Sequence, residues 1–401
     1  MKKKKIVYIQ PNGHFSGAAI SLRFIISKLD RNKYTPYVII CSEGPLREYY
    51  EKIGVEVYLA PYKTFTTTPS PSIFNSNFFY NIIALFAPNT ISEVLENIKP
   101  DIVHVNDKSA LMAGVHAFKK GYKVIWHLRS TYYGYKSYFH YFISKYLIGK
   151  YSSYLIAISE DEVDCFKNSN KISIVYNSID FDNVMYFNKN GSTFRKEFGI
   201  LEEELVVGMI GNIDAQKGVW NFINSASIVL KKYVGRKIKF VIVAPIPRNV
   251  NYGWRGKLGL INTKNPYQLS VDLVKRLGME SNFIFTDRRY DMENVMLGLD
   301  VISAVYNMNA IGRPAIEGAA MGKTVIVNNG HTGKSKMVIS GKTGFVVQKE
   351  QSELLAELFI KLISNEELRE SLGKQAYQYS KEIFDAEKNC RKIEKLYENL
   401  K

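Results

Sequence analysis

Residues 205–218 read LVVGMIGNIDAQKG, and this stretch decides the fold. Its first six residues are apolar apart from Gly208, which is typical of a strand that is covered on both faces of a sheet. A glycine-containing loop follows, and the pattern after Gly218 is helical. A strand, a glycine loop and a helix in this order predict one unit of a parallel α/β sheet.

Apolar runs of the same kind recur along the chain and alternate with longer helical patterns. At 401 residues the chain exceeds what one hydrophobic core usually supports, so we predict two doubly wound, Rossmann-like domains. In the first half the predicted strands are Lys5–Gln10, Tyr37–Cys41, Val55–Leu59, Ile102–Asn106, Lys123–His127 and Tyr154–Ile158. In the second half they are Leu205–Ile210, Lys239–Ala244, Asn282–Thr286, Asp300–Val305, Lys323–Val327 and Gly344–Val347.

The predicted domains comprise residues 1–178 and 179–385. The hinge is expected at 176–180, followed by a polar stretch through Ser192. The last segment, 386–401, has a helical pattern that could pack back on the first domain. Two such domains facing each other leave a cleft at the carboxyl ends of their strands, where ligands normally bind.

The composition points to anionic partners inside the cell. The formal net charge is +16, which favours nucleotides, phospholipid headgroups or nucleic acid. Cys41, Cys165 and Cys390 are too widely spaced for a disulfide framework or a C-x-x-C site, so a reducing cytoplasm is expected. The apolar run after the basic tip at Met1 to Lys5 is too short for a signal peptide, and no apolar stretch of about 18 residues predicts a transmembrane helix.

Two loops place small or charged residues where a strand gives way to a helix. In the first, 11–19, a phosphate or sugar can approach backbone N–H groups around Gly13, His14 and Gly17, although a tight turn without a ligand explains the glycines equally well. In the second, Lys217 precedes a helix whose positive dipole end repels it, which favours a bound anion over a solvated surface lysine.

A third segment, 306–317, reads YNMNAIGRPAIE and follows a strand. Pro314 suits the first turn of a helix, so Gly312 and Arg313 should lie at its start. Glu317 falls about one turn further, where a carboxylate can accept hydrogen bonds from ribose hydroxyls. The alternative is a glutamate that only complements the helix dipole.

These segments resemble the family-4 glycosyltransferases, whose pattern reads roughly G-R-x(4)-K-G and then E-x-F-G-x(4)-E-A-x-A-x-G-x-P-V-I. Here it stands as Gly211-Asn212 with Lys217-Gly218, and as Asn309 to Gly312 with Glu317 to Ile326. The later segment 341–347 also resembles the family's closing G-x-T-G-x-L-V. The first half matches more loosely, at 100–106, 126–129 and 156–159, so the resemblance spans nearly the whole chain.

The resemblance implies the GT-B fold and a retaining, metal-independent transfer that uses no cofactor. By position it implies three catalytic residues: Lys217 at the donor diphosphate, Glu317 at the ribose and His127 beside the transferred sugar. Without the resemblance, a histidine that ends a buried strand is more often a packing residue. The predicted donor site comprises Gly17, Gly211, Asn212, Lys217, Asn309, Ala310, Ile311, Gly312, Arg313 and Glu317, and the predicted acceptor site comprises Gly13, His14 and Arg129.

Three positions depart from the family pattern. Asn309 replaces the first glutamate of the pair, which leaves the identity of the donor sugar open. Asn212 replaces the diphosphate arginine and removes a charge-assisted hydrogen bond worth about 1.5–3 kcal/mol, unless Arg313 or Lys334 supplies it. Lys336 stands where the family usually has a glutamate.

Residues 108–159 contain lysines and many aromatic side chains but no aspartate or glutamate before Ser159. Lysine together with amphipathic aromatic residues predicts contact with an anionic membrane surface. A packed helix with a solvated lysine face and a surface that stacks single-stranded nucleic acid are the alternatives.

We therefore expect a cytoplasmic glycosyltransferase of the hexosyltransferase type, peripheral on the inner face of the cell membrane. Its partners would be a nucleotide-sugar donor and a glycan or lipid-linked acceptor in cell-surface polysaccharide synthesis, with no nucleic acid. The alternatives are a nucleotide-sugar epimerase of the same architecture and a catalytically silent relative that binds the nucleotide sugar or a glycan.

Overall fold

The structure is a computed structural model that describes residues 2–65, 76–87, 90–130, 138–182, 193–246, 265–307, 311–330 and 333–400. The chain divides into two compact units. The first comprises Met1–Asp180 and Ile383–Lys401, and the second comprises Phe181–Glu382.

The first unit is built on a seven-stranded sheet in which all neighbouring strands are parallel. Its strands are β1 Lys4–Gln10, β2 Tyr34–Ile40, β3 Glu56–Leu59, β4 Ile102–Asn106, β5 Lys123–Leu128, β6 Tyr154–Ala157 and β7 Ile172–Ile174. They lie in the order β3-β2-β1-β4-β5-β6-β7. The six strands predicted in this half are confirmed, but β2 begins earlier than predicted because its ladder with β1 already starts at Tyr34, opposite Lys4. The short edge strand β7 was not predicted.

The second unit is built on a six-stranded parallel sheet. Its strands are β8 Leu205–Ile210, β9 Ile238–Val243, β10 Phe283–Thr286, β11 Val301–Ala304, β12 Thr324–Asn328 and β13 Phe345–Val347. They lie in the order β10-β9-β8-β11-β12-β13, and all six were predicted to within about a residue at either end. The first strand of each sheet, β1 or β8, therefore lies between two parallel neighbours, as in a doubly wound fold.

Helices connect successive strands and cover the sheets. In the first unit they are α1 Gly17–Ser27, α2 Pro45–Lys52, α3 Ser76–Phe86, α4 Ile91–Ile98, α5 Leu111–Lys119, α6 Tyr138–Lys150 and α7 Glu160–Cys165. Those that follow are α8 Thr193–Glu197, α9 Val219–Lys232, α10 Pro266–Arg276, α11 Met292–Gly298, α12 Arg313–Ala320, α13 Ser352–Ile363, α14 Glu366–Ile383 and α15 Ala386–Asn399.

The last helix, α15, packs on the first unit although it ends the chain. Its buried face carries Cys390, Ile393 and Tyr397, which join the core cluster of Ile6 and Tyr8. The Lys4 ammonium also donates to the carbonyl of Tyr397 at 3.1 Å. Burial of the apolar face of α15 thus completes the cover on one side of the first sheet.

Within the described ranges, no single helix is long and apolar enough to cross a membrane. One bent pair, Phe78–Phe86 with Ile91–Ile98, meets the criteria of length and composition together.

Candidate functional site

In the second unit, two glycines shape the turn between β8 and α9. Gly211 has φ +148° and Gly218 has φ +70°, values that residues with a side chain rarely adopt. A Cβ at Gly218 would lie 2.4 Å from the carbonyl oxygen of Val305, which follows β11. The turn therefore lies directly against the carboxyl end of the neighbouring strand, and the Asn307 N–H donates to the Gln216 carbonyl at 2.8 Å across this contact.

Lys217 lies in this turn, immediately before the helix cap. Its ammonium sits over the ring of Tyr306, 4.2 Å from the ring centre, a cation–π geometry. The Tyr306 ring is fully buried and held in place, because its hydroxyl donates to the Ile210 carbonyl at 2.9 Å. Desolvation lowers the pKa of Lys217, and the charge of Asp214 opposes that effect. In the described part of the chain no carboxylate lies within 4.0 Å of the ammonium, so the site holds a desolvated cation without an ion-pair partner.

The helix α12 begins beside the same tyrosine. Gly312 is its N-cap, and a Cβ there would meet the Tyr306 ring at 2.5 Å, so glycine permits the helix start to approach the ring. One turn in, the Arg313 Nε donates to Glu317 Oε1 at 2.6 Å. Ile311 is 9% exposed and packs at the helix entrance. Together these elements gather two helix N-termini, a free cation and a carboxylate around Tyr306, an arrangement suited to a phosphorylated ligand.

The remaining predicted donor residues are Asn212, Gly17, Asn309 and Ala310. Asn212 is exposed, and its carbonyl accepts from the Asp214 N–H at 3.1 Å. Gly17 is the first residue of α1 in the first unit, where the side chain of Ser16 already accepts from the Ala19 N–H. Asn309 and Ala310 lie outside the described residues.

In the first unit, a chain of polar side chains lines the carboxyl edge of the sheet. Asn106 at the end of β4 donates to Gln10 Oε1 at 2.7 Å. Arg129, which follows β5, donates through Nε to Asn106 Oδ1 and through Nη1 to Asn177 Oδ1, each at 2.8 Å. The predicted acceptor residue Arg129 is thus buried and holds two asparagines in place, while its contact with an acceptor stays a prediction.

His127 is fully buried at the end of β5. Its Nδ1 lies 3.1 Å from Nε2 of His104, a histidine that the sequence did not single out. Burial lowers the pKa of His127 well below its usual value, and the charge of Arg129 and the neighbouring His104 lower it further. His127 is therefore neutral at physiological pH, which excludes a permanently charged role; its place beside the sugar stays a prediction.

The other predicted acceptor residues lie in the loop after β1. Gly13 is buried, and a Cβ there would lie 2.4 Å from the Ser42 carbonyl, so the loop after β1 packs directly on the loop after β2. His14 is exposed, and its N–H donates to Asn12 Oδ1 at 3.0 Å. Only His14 of this pair offers a side chain to a ligand.

Sequence reasoning missed Asp107, which follows β4. Its backbone has φ +98° and ψ 150°, a region that is nearly restricted to glycine. Its carboxylate accepts from the hydroxyls of Ser109 at 2.8 Å and Ser130 at 3.2 Å. Backbone strain of this kind costs about 1–3 kcal/mol and clusters at functional sites, so we add Asp107 to the candidate residues of the first unit.

Two family models match the chain in succession. The model described as Glycosyltransferase Family 4 matches residues 15–183, and the model described as Glycosyl transferases group 1 matches residues 191–379. The chain belongs to the family-4 glycosyltransferases.

Known glycosyltransferases are similar to this chain in sequence, at 23–27% identity. The chain is 27% identical over 241 residues to CapM of Staphylococcus aureus, a capsular polysaccharide biosynthesis glycosyltransferase. The aligned residues cover 57% of this chain and 55% of CapM. The chain thus spans about half the length of CapM. It is 23% identical over 375 residues to an uncharacterized glycosyltransferase of Methanocaldococcus jannaschii, with 86% and 85% of the two chains covered.

The fold is similar to that of Anabaena HepE, solved in complex with UDP and glucose, with a TM-score of 0.77, 19% identity and coverage of 98% and 99%. The predicted fold class, two Rossmann-like domains of the GT-B architecture, is confirmed. In this glycosyltransferase the predicted residues Gly211, Lys217, Gly312, Arg313 and Glu317 come together around Tyr306, which the sequence did not single out.

Proposed function

We propose that this glycosyltransferase transfers a hexose from a nucleoside-diphosphate sugar to a glycan or lipid-linked acceptor, with retention of anomeric configuration and without a metal ion or cofactor. The second unit would bind the donor and the first the acceptor. The single observation that carries the proposal is Lys217, a desolvated ammonium just before a helix that forms no ion pair with a carboxylate of the described residues.

A cation in this position lowers the stability of the empty site. Removing an ammonium from water costs free energy, and here the charge of Asp214 and the cation–π contact with Tyr306 offset only part of that cost, since the pKa of Lys217 is still lowered. A diphosphate supplies the missing counter-charge and accepts from the backbone N–H groups at the start of α9 and α12. Binding of the donor therefore satisfies groups that the free protein leaves uncompensated.

The carboxylate of Glu317 supports a ribose contact. Arg313 occupies its Oε1 at 2.6 Å, while no described residue donates to its Oε2. That oxygen is left to accept from a sugar hydroxyl, as acidic residues do in other nucleotide sites. Since HepE was solved with UDP and with UDP-glucose, a uridine nucleotide is the first donor to test.

The role of Lys217 in the transfer step follows from the negative charge that develops on the leaving diphosphate. As the acceptor oxygen bonds to the anomeric carbon, the bond from that carbon to the diphosphate oxygen breaks, and the leaving phosphate takes the acceptor proton. Negative charge grows on the diphosphate during this step, and the Lys217 ammonium would stabilise it. A resident cation of this kind supports our proposal of a metal-independent reaction.

The proposal is tested by thermal stabilisation of the full chain with UDP-, GDP-, ADP- and CMP-sugars. A donor present at about 100 times its Kd should stabilise the fold by about 2.7 kcal/mol, and only one nucleotide class should do so. Lys217→Ala and Glu317→Ala should each abolish the shift, while Lys231→Ala, an exposed change in the last turn of α9, should retain it.

The donor that binds is then assayed for transfer to a panel of glycan and polyprenyl-phosphate-linked acceptors in EDTA. NMR of the product should show the donor's anomeric configuration. Inversion, a requirement for metal, or conversion of the nucleotide sugar without any acceptor would each contradict the proposal, the last in favour of an epimerase. A shift with a donor but no transfer to any acceptor would indicate a silent relative that binds the nucleotide sugar. Absence of a shift with every donor would contradict the donor site itself and leave a glycan-binding relative.

We also propose that the first unit attaches to the inner face of an anionic membrane. The helix α6 exposes Phe142 and Tyr146, which are 61% and 60% exposed, and α3 exposes Phe86 at 83%. The described residues that line a cavity of about 760 Å³ beside α6 include no acidic side chain but four lysines: Lys145, Lys150, Lys167 and Lys171. Exposed aromatic residues beside uncompensated cations match the interfacial region of an anionic bilayer.

Flotation with anionic vesicles checks this attachment. Because each basic residue near the surface contributes about 1 kcal/mol, Lys145→Gln with Lys150→Gln should lower partitioning by roughly 30-fold at low salt. Lys231→Gln with Lys232→Gln, an equal charge change on α9 in the second unit, should have little effect. Equal recovery on neutral and anionic vesicles would show that lipid charge plays no part.

A further inference from the structure

The cavity beside α6 lies at the amino edge of the first sheet. Its lining includes Leu155 at the start of β6 and Lys171 immediately before β7. The candidate residues Asp107 and His127 lie at the opposite edge, where β4 and β5 end. A six-residue strand such as β5 spans roughly 17 Å. The cavity is therefore separate from the proposed site of transfer.

The exposed part of the lining is basic. Lys150, Lys167 and Lys171 are exposed and Lys145 is half-buried, and no carboxylate of the described residues lies within 4.0 Å of these ammonium groups. The helices α5, α6 and α7 end at the cavity, and each contributes about half a negative charge through its dipole. Four full positive charges exceed these partial charges, so the cavity favours an anion.

Two of the lysines are held in place by tyrosines of the same helix. Lys145 Nζ donates to the Tyr141 hydroxyl at 3.1 Å, and Lys150 Nζ donates to the Tyr146 hydroxyl at 3.3 Å. Each ammonium also lies over the ring of its tyrosine, 5.3 and 5.5 Å from the ring centres. These contacts order the cations without neutralising them, so less side-chain entropy is lost when an anion binds.

The buried part of the lining is apolar. Leu155 and Cys165 line the cavity, and each is 1% exposed. A second cavity of about 430 Å³ shares Phe118 and Lys171 with the first and is lined also by Leu400. Ligand sites generally combine apolar walls with a few charged or polar groups. A ligand that fills this space therefore carries an apolar part beside its anionic group.

A phosphomonoester suits the charge of the cavity better than a carboxylate or a phosphodiester does. It carries about 1.5–2 negative charges at neutral pH and presents three acceptor oxygens, whereas the other two groups carry a single charge. Lysine binds phosphate as a point charge. Asn168 and Asn170, which also line the cavity, are exposed and have side-chain amides that can donate to further oxygens.

We infer that the cavity beside α6 binds a phosphomonoester that is joined to an apolar group. Such a group occurs in the headgroup region of an anionic lipid and in soluble amphiphilic phosphates. The site does not depend on the transfer reaction. For the lipid source it rests on the proposed membrane attachment, and it then identifies the headgroup that the first unit recognises.

Calorimetric titration of the full chain with soluble, short-chain phosphatidic acid tests the site. Lys167→Gln and Lys171→Gln should each weaken binding about tenfold, because each removes a charge-assisted contact. Lys231→Gln, an equal charge change on α9 in the second unit, should bind the probe as the unmodified chain does. Short-chain phosphatidylglycerol lacks the second charge and glycerol 3-phosphate lacks the apolar part, so both should bind at least about tenfold more weakly.

Gly149→Glu blocks the cavity and leaves its lysines in place. Gly149 lies in α6 and lines the cavity, and nothing lies within 4 Å of a Cβ built there, so a side chain fits without displacing a neighbour. The new carboxylate pairs with the lysines and should abolish binding of the probe. Gly149→Ala, which adds no charge and little volume, should retain it. Unchanged thermal unfolding of the ligand-free variants shows that their fold is intact.

Competition with vesicles distinguishes the two sources of the ligand. If the ligand is a lipid, vesicles that contain phosphatidic acid should displace the soluble probe, and phosphatidylglycerol vesicles of equal surface charge should displace less. If the ligand is a soluble amphiphile, vesicles of either kind should leave the probe bound.

Three results would overturn the inference: no binding of short-chain phosphatidic acid, equal binding by Gly149→Glu and the unmodified chain, or equal affinity for phosphatidic acid and phosphatidylglycerol. Failure of this site and failure of the proposed function are distinguishable. Transfer without binding of the probe would contradict the site alone. Binding of the probe without a response to any nucleotide sugar would contradict the proposed donor site alone.

Discussion

Lys217→Ala is expected to lower kcat/KM for transfer by about 10²–10³-fold, which corresponds to about 2.7–4 kcal/mol of lost transition-state stabilisation. The reason is local. The Lys217 ammonium lies over Tyr306 just before α9, and no carboxylate of the described residues forms an ion pair with it. Charge on the leaving diphosphate then develops without a preorganised partner. Steady-state kinetics with the donor identified by thermal stabilisation measures the effect.

The same variant should leave the donor-free fold nearly as stable as before. Removal of Lys217 loses a cation–π contact but also relieves the cost of a desolvated charge, so the free energy of unfolding should change by less than about 1 kcal/mol. Lys231→Ala, in the last turn of the helix α9 that follows Lys217, should change neither quantity. A loss of activity that is matched by an equal loss of stability would indicate a structural lysine and contradict the proposed role.

Gly218→Ala is expected to destabilise the second unit by about 3 kcal/mol or more. A left-handed backbone at a residue with a Cβ costs roughly 1–2 kcal/mol by itself. At Gly218, φ is +70° and the new Cβ would also lie 2.4 Å from the backbone carbonyl of Val305. Since that carbonyl directly follows β11, the turn itself must move, and Lys217 moves with it.

Gly278→Ala separates the cost of the left-handed backbone from the cost of the steric contact with Val305. Gly278 has φ +68°, almost the same as Gly218, but nothing lies within 4 Å of a Cβ built there. Its substitution should therefore cost only the backbone term, roughly 1–2 kcal/mol. Calorimetry of the full chain, following the transition of the second unit, measures both variants. Equal losses at the two positions would show that the contact with Val305 is not tight.

Strands were the most predictable part of this fold. β4 and β8 were predicted with correct ends, because each is fully buried, consists mostly of apolar residues and is flanked by polar or small residues. β7 was missed, since Ile172–Ile174 is only three residues long and half-buried at the edge of the sheet. So short a run has no periodicity to read.

The candidate site was predicted in part. The glycines and charges of 211–218 and 312–317 could be identified because each motif is local in sequence. Tyr306 could not, although its ring lies under the Lys217 ammonium and against Gly312, because its contacts depend on how β8 and β11 pair. The same limit hid Asn106 and Asn177, which meet through Arg129.

The sequence by itself determined the fold class, the two parallel sheets and the family, since apolar periodicity and short motifs are properties of neighbouring residues. Only the tertiary structure decided which polar groups meet. Tyr397 reaches His104 across 293 positions, and the pair is buried with His127 beneath α15. A hydrogen bond between such distant residues depends on strand order and helix packing, which bring the side chains together only after the chain has folded.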